Sequence, residues 1–399
     1  MVGRTAEAAY PDARPRPGCG IRLALFSDTY APQVNGVSRT LERLVEAICQ
    51  RGGEVRVFTT SDPRASPAER DIVRFRSLPF WAEKHLRIAL PTFGTVHDQL
   101  KAWRPDIVHI ATAFGVGIAG RAAARSLRIP LVTSYHTSLT QYSRHYGLTM
   151  LTPLSWTILR WFHNGGLRTY CPSKAIESEL KHQGFVNVSR WSRGVDAQRF
   201  NPSHRSTVAR RLLGAAADTV IMAYVGRIAS EKGLAGALEG MNAAAAQLPR
   251  RFLFAFAGDG PLLTYCRSHA PPHSVFAGRI VGKELSEFYA SADIFVFPST
   301  TDTFGNVLHE AMASGLPIVA ADSEPTREVL RDGESRTPLG RLFPGKDPNA
   351  LAAQLVELAL DAELRVRMAR HSRAVAMTRT WDNVFDELFE DYERVIGRR

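Results

Sequence analysis

Short apolar runs alternate with amphipathic segments along most of the chain. The first run, residues 21–26, is continuous and is typical of a buried strand. Leu41, Leu44, Val45 and Ile48 follow it at the spacing of one helix face. Short strands that alternate with helices in this way predict parallel βαβ units.

The same alternation of predicted strands and helices extends through both halves of the sequence. Predicted strands of the first half are residues 21–26, 55–59, 106–110, 130–134 and 169–171. Those of the second half are 220–225, 252–257, 274–277, 294–297 and 317–320. Predicted helices include 119–127, 174–183, 234–247, 284–290, 307–314 and 381–396. The pattern predicts an α/β protein.

The length of the chain favours two domains. At 399 residues it exceeds the ~250–300 residues over which a single core usually grows. The segment 193–202 carries a Gly, a Pro and charged residues, which is typical of a linker. We predict a disordered tail at 1–20, a first domain at 21–195, a second at 196–378 and a final helix at 379–399. Two doubly wound, Rossmann-like domains facing each other across a cleft would bind ligands at the carboxyl ends of their strands.

Charge and cysteine content narrow the classes of partner. A net charge of +11 favours anionic partners, such as phosphorylated ligands or anionic membranes. No run of five or six consecutive like charges and no nucleic-acid-binding motif is present, so we predict no nucleic acid partner. The four cysteines are widely spaced and show neither C-x-x-C nor metal-ligand spacing, which favours a reduced, cytoplasmic protein. The N-terminus lacks the apolar region of a secretory signal, and any membrane association is expected to be peripheral.

Three strand-to-helix turns carry glycines that suit close contact with a ligand. Gly36 follows the first strand and would let helix amides approach an anionic group, although an ordinary turn explains it equally well. Arg227 and Lys232 follow the strand 220–225 and suit a diphosphate without any metal; the alternative is a solvated turn. The turn 258–261 has the character of a structural one.

The segment 299–310 opens a helix directly after an apolar strand. Asp302 and Glu310 stand eight residues apart, and the segment between them would expose free amides at a helix N-terminus. Glu310 could accept hydrogen bonds from a ribose diol. The alternative is an Asp that complements the helix dipole and a surface Glu, which leaves the glycine-centred turn unexplained.

His136 follows the strand 130–134, at the edge where ligands bind in parallel sheets. A structural histidine is the alternative interpretation of this position.

Taken in order and spacing, these residues resemble a retaining glycosyltransferase of family 4 with the GT-B fold. The resemblance covers residues 21–396. The E-x7-E motif of that family aligns onto Asp302 and Glu310, and its Arg…Lys pair onto Arg227 and Lys232. Its glycine loop, histidine, linker and last helix, which crosses back to the first domain, correspond to Gly36, His136, 193–202 and 381–396.

A narrower resemblance is to the branch of lipid-linked mannosyl-, glucosyl- and sulfoquinovosyltransferases. It is carried by residues 35–37, 134–137, 191–196 and 301–305. The resemblance implies a first domain that binds the acceptor and a second that binds the nucleotide sugar. It implies a donor of GDP-mannose first, and UDP-glucose or another UDP-hexose next. A nucleotide-sugar co-substrate is expected, with no further cofactor and no metal.

The resemblance also implies roles for single residues. Gly36 is expected to contact the donor phosphate, Arg227 and Lys232 the diphosphate, and Glu310 the ribose. His136 is expected to contact the sugar near its 6-position. The transferred sugar and its surroundings are expected to be bound by Asp302, Phe304, Gly305, Asn306 and Val307. The first Glu of the family motif is replaced by Asp302, one methylene shorter. Retention in this family is usually explained by front-face attack, in which the leaving phosphate helps to deprotonate the acceptor.

Aromatic and basic residues of the first half suggest where the acceptor binds. Trp81 and Lys84 lie in one such stretch, and Tyr142, Trp156, Arg160 and Trp161 lie in another. Aromatic and basic surfaces suit an anionic membrane interface, so we expect Trp81, Lys84 and Tyr142 to contact a lipid acceptor. The alternative interpretation is that these aromatics pack in the core. The alternative acceptor is a soluble glycan.

Two other function classes fit the sequence less well. A dinucleotide-dependent oxidoreductase would need G-x-G-x-x-G after a strand and an acidic residue ~20 positions later, which neither turn provides. A catalytically silent nucleotide-sugar-binding protein would differ from an enzyme only by showing no turnover. We therefore predict a metal-independent hexosyltransferase, cytoplasmic or peripheral on the cytoplasmic face of a membrane.

Overall fold

The computed structural model describes residues 17–33, 35–66, 71–80, 83–136, 152–248, 251–302, 305–331 and 339–397. The chain divides into two compact units. The first comprises the described residues of Met1–Cys171, Glu177–Trp191 and Phe385–Arg399, and the second comprises those of Pro172–Ile176 and Ser192–Val384. The predicted boundary at 195/196 stays a prediction, as does the tail, of which only 17–20 are described.

The first unit is built on a parallel sheet. Its strands are β1 (Arg22–Phe26), β2 (Glu54–Thr60), β3 (Ile72–Phe75), β4 (Ser77–Phe80), β5 (Glu83–Ala89), β6 (Ile107–Ile110), β7 (Leu131–Ser134), β8 (Arg168–Cys171) and β9 (Val188–Arg190). Seven of them pair in the order β3-β2-β1-β6-β7-β8-β9, and β4 and β5 form a separate antiparallel pair. The strand order reverses between β1 and β6, which makes their carboxyl ends a topological switch point.

In the described part of the chain, five helices connect these strands. They are α1 (Gly36–Gln50), α2 (Phe93–Trp103), α3 (Gly115–Ser126), α4 (Thr152–His163) and α5 (Lys174–His182). The apolar face predicted for α1 packs against the core, where Leu41, Leu44 and Ile48 are fully buried.

The second unit has a six-stranded sheet. Its strands are β10 (Val220–Val225), β11 (Phe252–Ala257), β12 (Ser274–Gly278), β13 (Ile294–Phe297), β14 (Ile318–Ala321) and β15 (Gly340–Phe343). They are all parallel and pair in the order β12-β11-β10-β13-β14-β15, so the switch point lies between β10 and β13. Every residue of β11, β13 and β14 is buried, as expected for strands covered on both faces.

The helices of the second unit lie between its strands and after them. They are α6 (Thr207–Leu212), α7 (Leu234–Ala245), α8 (Leu263–His269), α9 (Gly282–Ser291), α10 (Asn306–Ala313), α11 (Glu324–Val329), α12 (Pro348–Leu360) and α13 (Ala362–Thr378). Short 3₁₀ turns are formed by Pro202–His204 and Ser230–Lys232. Both units therefore have the predicted doubly wound, Rossmann-like α/β architecture.

The last helix, α14 (Trp381–Ile396), packs mainly on the first unit. Its buried residues Phe385, Phe389 and Tyr392 recur at helical spacing. Arg51, which is buried, donates to Asp386 Oδ1 at 2.6 Å and fixes the start of this contact. The helix thus brings side chains from the end of the chain to strands formed near its beginning.

The sequence missed β3, β4, β5, β9 and β15. Three of these, β3, β9 and β15, are edge strands. An edge strand is covered on fewer sides, so it lacks the continuous apolar run from which the central strands were predicted. Among the described helices, none is long and apolar enough to cross a membrane.

Candidate functional site

The switch point of the second unit brings together two turns that the sequence singled out. The turn at Gly226–Arg227 follows β10, and the segment ending in Asp302 follows β13. These two strands are neighbours in the sheet, with Met222 and Ala223 opposite Ile294 and Phe295. Their carboxyl ends therefore lie side by side, where parallel sheets bind ligands.

The turn after β10 is held by the turn after β11. The Ile228 N–H donates to the Asp259 carbonyl at 2.9 Å, and the Gly226 N–H donates to the Ala257 carbonyl at 3.0 Å. Gly258 permits this contact, because a Cβ there would overlap the carbonyl oxygen of Gly226. The Gly258–Gly260 turn is thus structural, in line with the sequence interpretation, and it shapes the turn that carries Arg227.

Arg227 itself is exposed. Its guanidinium is two-thirds solvent accessible and lies 3.5 Å from Glu231 Oε1. The Tyr224 hydroxyl donates to the Arg227 carbonyl at 2.8 Å, which fixes the backbone while the side chain extends into solvent. An exposed cation on a fixed backbone can reach an anionic ligand without a rearrangement of the turn.

Lys232 and Asp302 form an ion pair at this switch point. Lys232 Nζ lies 2.6 Å from Asp302 Oδ1, and each side chain is about one-quarter exposed. The two segments are also joined by the Thr301 hydroxyl, which donates to the Glu231 carbonyl at 2.8 Å. The pair places a cation and a carboxylate from different loops within reach of one ligand.

Helix α10 begins immediately after this pair. Gly305 occupies its N-cap position in the left-handed region at φ 67°, which favours glycine. No side chain caps the helix among the described residues, and its first turn holds no acidic residue. The N-terminal amides of Asn306 and Val307 therefore provide the positive end of a helix dipole. Thr303 and Phe304 lie outside the described residues.

Val307 contributes differently from its neighbours. Its side chain is half-buried and packs against the core of the second unit. Any contact of Val307 with a ligand would therefore be made by its backbone N–H.

Glu310 is held by a buried tyrosine that the sequence did not single out. The hydroxyl of Tyr289, on α9, donates to Glu310 Oε2 at 2.9 Å. Burial, and secondarily the charge of Glu310, raises the pKa of Tyr289 well above its usual value, so the phenol stays a hydrogen-bond donor. The carboxylate thus has a fixed orientation one turn into α10.

Gly36 lies at the switch point of the first unit, where α1 begins. Asn35 caps this helix, and its Oδ1 accepts from the amides of Val37 at 3.0 Å and Ser38 at 2.9 Å. The predicted role of several free amides is therefore reduced to that of Gly36 itself, unless a ligand displaces Asn35. The sequence missed this because Asn is common in turns as well as at caps.

Asp28 is a further residue of this switch point that the sequence did not identify. It is buried and accepts from the Ala89 N–H at 2.9 Å, from the Thr112 hydroxyl at 2.9 Å and from the Val116 N–H at 3.4 Å. Burial raises the pKa of Asp28, and these hydrogen bonds oppose the shift. Its contacts join the end of β5 to the start of α3, which indicates a structural role.

His136 follows β7 and packs edge-to-face on Trp191, with ring centroids 5.5 Å apart. Beneath it lies His109 of β6, which is fully buried and hydrogen-bonded to Ser134 Oγ and to the Tyr392 hydroxyl. Burial, and secondarily the charge of His136, lowers the pKa of His109 to about 3. A neutral His109 thus supports the strand end from which His136 projects.

The final helix secures the neighbouring strand. The Tyr170 hydroxyl of β8 donates to Asp391 Oδ2 at 2.8 Å, and Arg168 Nε lies 3.2 Å from the same carboxylate oxygen. The last helix therefore contributes Asp391 to the packing of β8 and Tyr392 to that of β6.

The structure describes little of the predicted acceptor residues. Trp81 and Tyr142 lie outside the described residues, and Lys84 belongs to β5 with no description of its side chain. Among the aromatics of the second stretch, Trp156 is buried in the core, whereas Trp161 is more than half exposed.

The predicted site residues fall into two groups. Arg227, Lys232, Asp302, Asn306 and Glu310 share one edge of the second unit, whereas Gly36 and His136 belong to the first. No cluster of three or more His, Cys, Asp or Glu side chains with metal-binding geometry occurs in the described part of the chain. Independence of metal stays a prediction.

Comparison with known proteins gives two matching sequence families. The profile of Glycosyltransferase Family 4 matches residues 34–199, and that of Glycosyl transferases group 1 matches residues 219–361. A GDP-mannose-dependent alpha-mannosyltransferase of Mycobacterium tuberculosis (strain CDC 1551 / Oshkosh) is 36% identical over 389 residues, which are 96% of this chain and 98% of that protein.

A more distant relative has a lipid product in its name. The alpha-monoglucosyldiacylglycerol synthase of Streptococcus pneumoniae is 29% identical over 325 residues, 78% of this chain and 74% of that protein. The crystal structure of Anabaena HepE in complex with UDP superposes with a TM-score of 0.71 at 19% identity, covering 93% of this chain and 98% of HepE. The structural match shows a shared GT-B fold.

Proposed function

The chain belongs to glycosyltransferase family 4, and we propose that it transfers mannose from GDP-mannose to a lipid acceptor with retention of the anomeric configuration. The chain is a glycosyltransferase; the donor, the acceptor and the residue roles are what we propose. The observation that carries the proposal is the Lys232–Asp302 pair beside the N-terminus of α10, which no described side chain caps, at the switch point of the second sheet.

A diphosphate fits the cations of this switch point. Lys232 is one-quarter exposed and pairs with Asp302, which a ligand can replace, and Arg227 is exposed on a fixed turn. As the bond to the sugar breaks, negative charge develops on the leaving diphosphate. Fixed cations that face this charge lower the barrier, and they do so without a metal. No further cofactor is proposed.

The sugar and the ribose fit the residues that follow. When the diphosphate takes Lys232, Asp302 is released to accept hydrogen bonds from hydroxyls of the transferred hexose. The amides of Gly305 and Asn306 at the start of α10 suit polar atoms of the same sugar. Glu310, oriented by Tyr289, suits the two hydroxyls of the ribose, since a carboxylate can accept several hydrogen bonds.

The identity of the donor is supported by sequence similarity. A relative at 36% identity over nearly the whole of both chains is named GDP-mannose-dependent, so GDP-mannose is our first donor. UDP-hexoses are the next candidates.

The acceptor is proposed to be a diacylglycerol-type glycolipid. The support is the glycolipid-synthesising relative, together with the basic and aromatic character of the first half of the chain. His136, on the first unit, is proposed to contact the sugar near its 6-position, while Trp81, Lys84 and Tyr142 stay the proposed acceptor contacts. We place the enzyme at the cytoplasmic face of a membrane, bound peripherally.

A donor screen tests the proposal. The purified protein is offered GDP-mannose, UDP-glucose and UDP-galactose with dispersed diacylglycerol-type lipids, and release of GDP or UDP is measured alongside the glycolipid product. We expect GDP-mannose to give the highest rate of lipid-dependent release. Lipid-independent turnover with transfer to a soluble glycan would replace the proposed acceptor, and preference for a UDP-hexose would replace the proposed donor.

A further inference from the structure

His109 of β6 is a fully buried polar side chain that the proposed reaction does not use. Both of its ring nitrogens are hydrogen-bonded, Nδ1 with the Tyr392 hydroxyl of α14 and Nε2 with Ser134 Oγ at the end of β7. The rest of β6 is apolar and buried. An apolar side chain at position 109 would avoid the cost of burying an imidazole, so the polar ring indicates a role beyond packing.

The position of Tyr392 is fixed by its neighbour on α14. Asp391 Oδ2 accepts from the Tyr170 hydroxyl at 2.8 Å and lies 3.2 Å from Arg168 Nε, so two side chains of β8 hold the helix against the sheet. Tyr392 is fully buried, and burial, with the charge of Asp391 second, raises the pKa of its phenol well above the usual value. The hydroxyl therefore keeps its proton and can donate to Nδ1 of His109.

This hydrogen bond selects one tautomer of His109. Burial, and secondarily the charge of His136, lowers the pKa of His109 to about 3, so its ring is neutral at physiological pH and carries a single N–H. When Nδ1 accepts from Tyr392, the proton lies on Nε2, which then donates to Ser134 Oγ. A residue of the last helix thereby sets the direction of the hydrogen bond at the end of β7.

The position of His136 depends on His109 in two ways. His136 follows Ser134 by two residues, so the hydrogen bond to Ser134 fixes the strand end from which His136 projects. The His136 ring packs edge-to-face on Trp191, with centroids 5.5 Å apart, and the Trp191 ring in turn lies 5.6 Å from the His109 ring. The strand end and the ring that position His136 therefore both contact one buried imidazole.

We propose that Tyr392 and His109 are positioning residues for His136. The Tyr392 hydroxyl fixes the tautomer of His109. His109 then holds Ser134 and Trp191, which together present the ring of the site histidine. A fully satisfied buried network specifies one geometry, and catalytic contacts tolerate little misplacement. This inference rests on the role proposed for His136 in the reaction, and it goes beyond that role by assigning two fully buried residues to it.

Tyr392→Phe tests the inference, because it removes one hydroxyl and keeps the ring. Nucleotide release is measured with the donor that the wild type turns over fastest. We expect kcat to fall about tenfold with donor KM nearly unchanged, since a displaced catalytic contact lowers the rate more than it weakens ground-state binding. Tyr170→Phe is the matched control. It removes the hydroxyl of a neighbouring buried tyrosine that bonds to Asp391, so it should lower the urea midpoint and leave kcat unchanged.

A double-mutant cycle separates positioning from a merely structural effect. His136→Ala should lower kcat by itself, and Tyr392→Phe should add nothing in that background, because it acts through His136. Two losses of rate that multiply would overturn the inference, since Tyr392 would then act independently of the histidine. Normal kcat in Tyr392→Phe beside a slow His136→Ala would overturn it as well. A silent His136→Ala would remove the proposed role of His136 and this inference with it.

NMR of protein that carries isotope-labelled histidine gives a readout without turnover. His109, assigned by the signal that His109→Gln lacks, should show a single neutral tautomer in the wild type and a mixture of both in Tyr392→Phe. The His136 signals should shift in Tyr392→Phe and keep their positions in Tyr170→Phe.

This readout distinguishes the inference from the proposed function. Unchanged signals of both histidines in Tyr392→Phe would overturn the inference. Absence of turnover in the wild type would count against the proposed function and leave the NMR result standing. If Tyr392→Phe folds poorly, Ser134→Ala removes the hydroxyl at the other ring nitrogen of His109, and it should lower kcat in the same way and add nothing to His136→Ala.

Discussion

At the scale of single residues, the central feature is the ion pair between Lys232 and Asp302. Each is the other's partner at 2.6 Å, and neither is deeply buried. Breaking such a pair costs the fold little, since a partly exposed ion pair contributes only ~0–1 kcal/mol to stability. A diphosphate can therefore replace the carboxylate without destabilising the fold.

We predict that Lys232→Ala lowers kcat/KM by about 10²–10³-fold, corresponding to about 2.7–4 kcal/mol of lost stabilisation of the leaving diphosphate. Arg227→Ala should act in the same direction. Steady-state kinetics with the donor measure the effect. Lys283→Ala, which removes an exposed lysine paired with Glu287 on α9, is the control and should be silent. Near-normal turnover in both the Lys232 and the Arg227 variants would remove the phosphate assignment.

The role of Tyr289 gives a second residue-scale prediction. Tyr289→Phe removes the hydroxyl that orients Glu310 and should raise the donor KM about tenfold, because hydrogen bonds to charged groups are worth about 1.5–3 kcal/mol. The value of kcat should change less, since the ribose is remote from the bond that breaks. Tyr265→Phe makes the same chemical change at a partly exposed ring of α8 and should leave KM unchanged. An unaltered KM in Tyr289→Phe would mean that Glu310 does not bind the donor.

Sequence could predict some of these residues because charge and glycine stand out in a strand-to-helix turn. Arg227, Lys232, Asp302 and Gly305 were predicted on that basis. Tyr289 could not be predicted, because a tyrosine at an apolar position of a helix is indistinguishable from an ordinary core residue until its partner is known. Asn35 was missed as a cap for a related reason: the side-chain hydrogen bonds that distinguish a cap from a turn are invisible in the sequence.

At the scale of elements, the carboxyl ends of adjacent strands support one another. The turn after β11 packs on the turn after β10, so the position of Arg227 depends on a loop that carries no ligand contact of its own. The central strands β10, β11 and β13 were predicted at their observed bounds because burial on both faces gives a continuous apolar run. The hairpin β4–β5 and the edge strands β3, β9 and β15 carry mixed polar sequences, from which no strand was predicted.

We predict that Gly258→Ala destabilises the second unit by about 2–3 kcal/mol, because the new methyl group would overlap the Gly226 carbonyl at a backbone conformation that favours glycine. Urea denaturation measures the loss, and donor affinity should fall with it as the Arg227 turn shifts. Gly236→Ala is the matched control. A methyl group there would meet no atom within 4 Å, and this position in α7 should gain about 0.5–1 kcal/mol. Equal stability of the two variants would contradict the packing of the turns.

At the scale of the whole molecule, each unit buries neutral histidines. Burial lowers the pKa of His109 and of His163 to about 3, and that of His309, aided by Arg379, to about 4. In the unfolded chain these groups would take up protons below the usual pKa of 6.5, whereas the folded state resists them until the lowered values. The unfolded state therefore gains stability as the pH falls.

The resulting prediction is a loss of stability that begins near pH 6.5, above the range in which carboxylates titrate. Each buried histidine should lower the free energy of unfolding by about 1.4 kcal/mol per pH unit below that point. Urea midpoints measured from pH 7.5 to 5 show the slope. His109→Gln should make it shallower by one such increment, whereas the exposed His182→Gln should not. A slope that is flat down to pH 5 would contradict burial of these rings in the neutral form.

Transfer of a hexose without metal involves the whole molecule, and one measurement tests it most directly. Labelled GDP-mannose is incubated with the wild type, Lys232→Ala and a diacylglycerol-type acceptor in excess EDTA, and label in the extracted lipid is counted. We expect the wild type to incorporate label into lipid at an undiminished rate in EDTA, and we expect Lys232→Ala to incorporate about 10²-fold less or lower still. Incorporation that disappears in EDTA and returns with Mg²⁺ or Mn²⁺ would contradict it, because a metal and not Lys232 would then neutralise the leaving diphosphate.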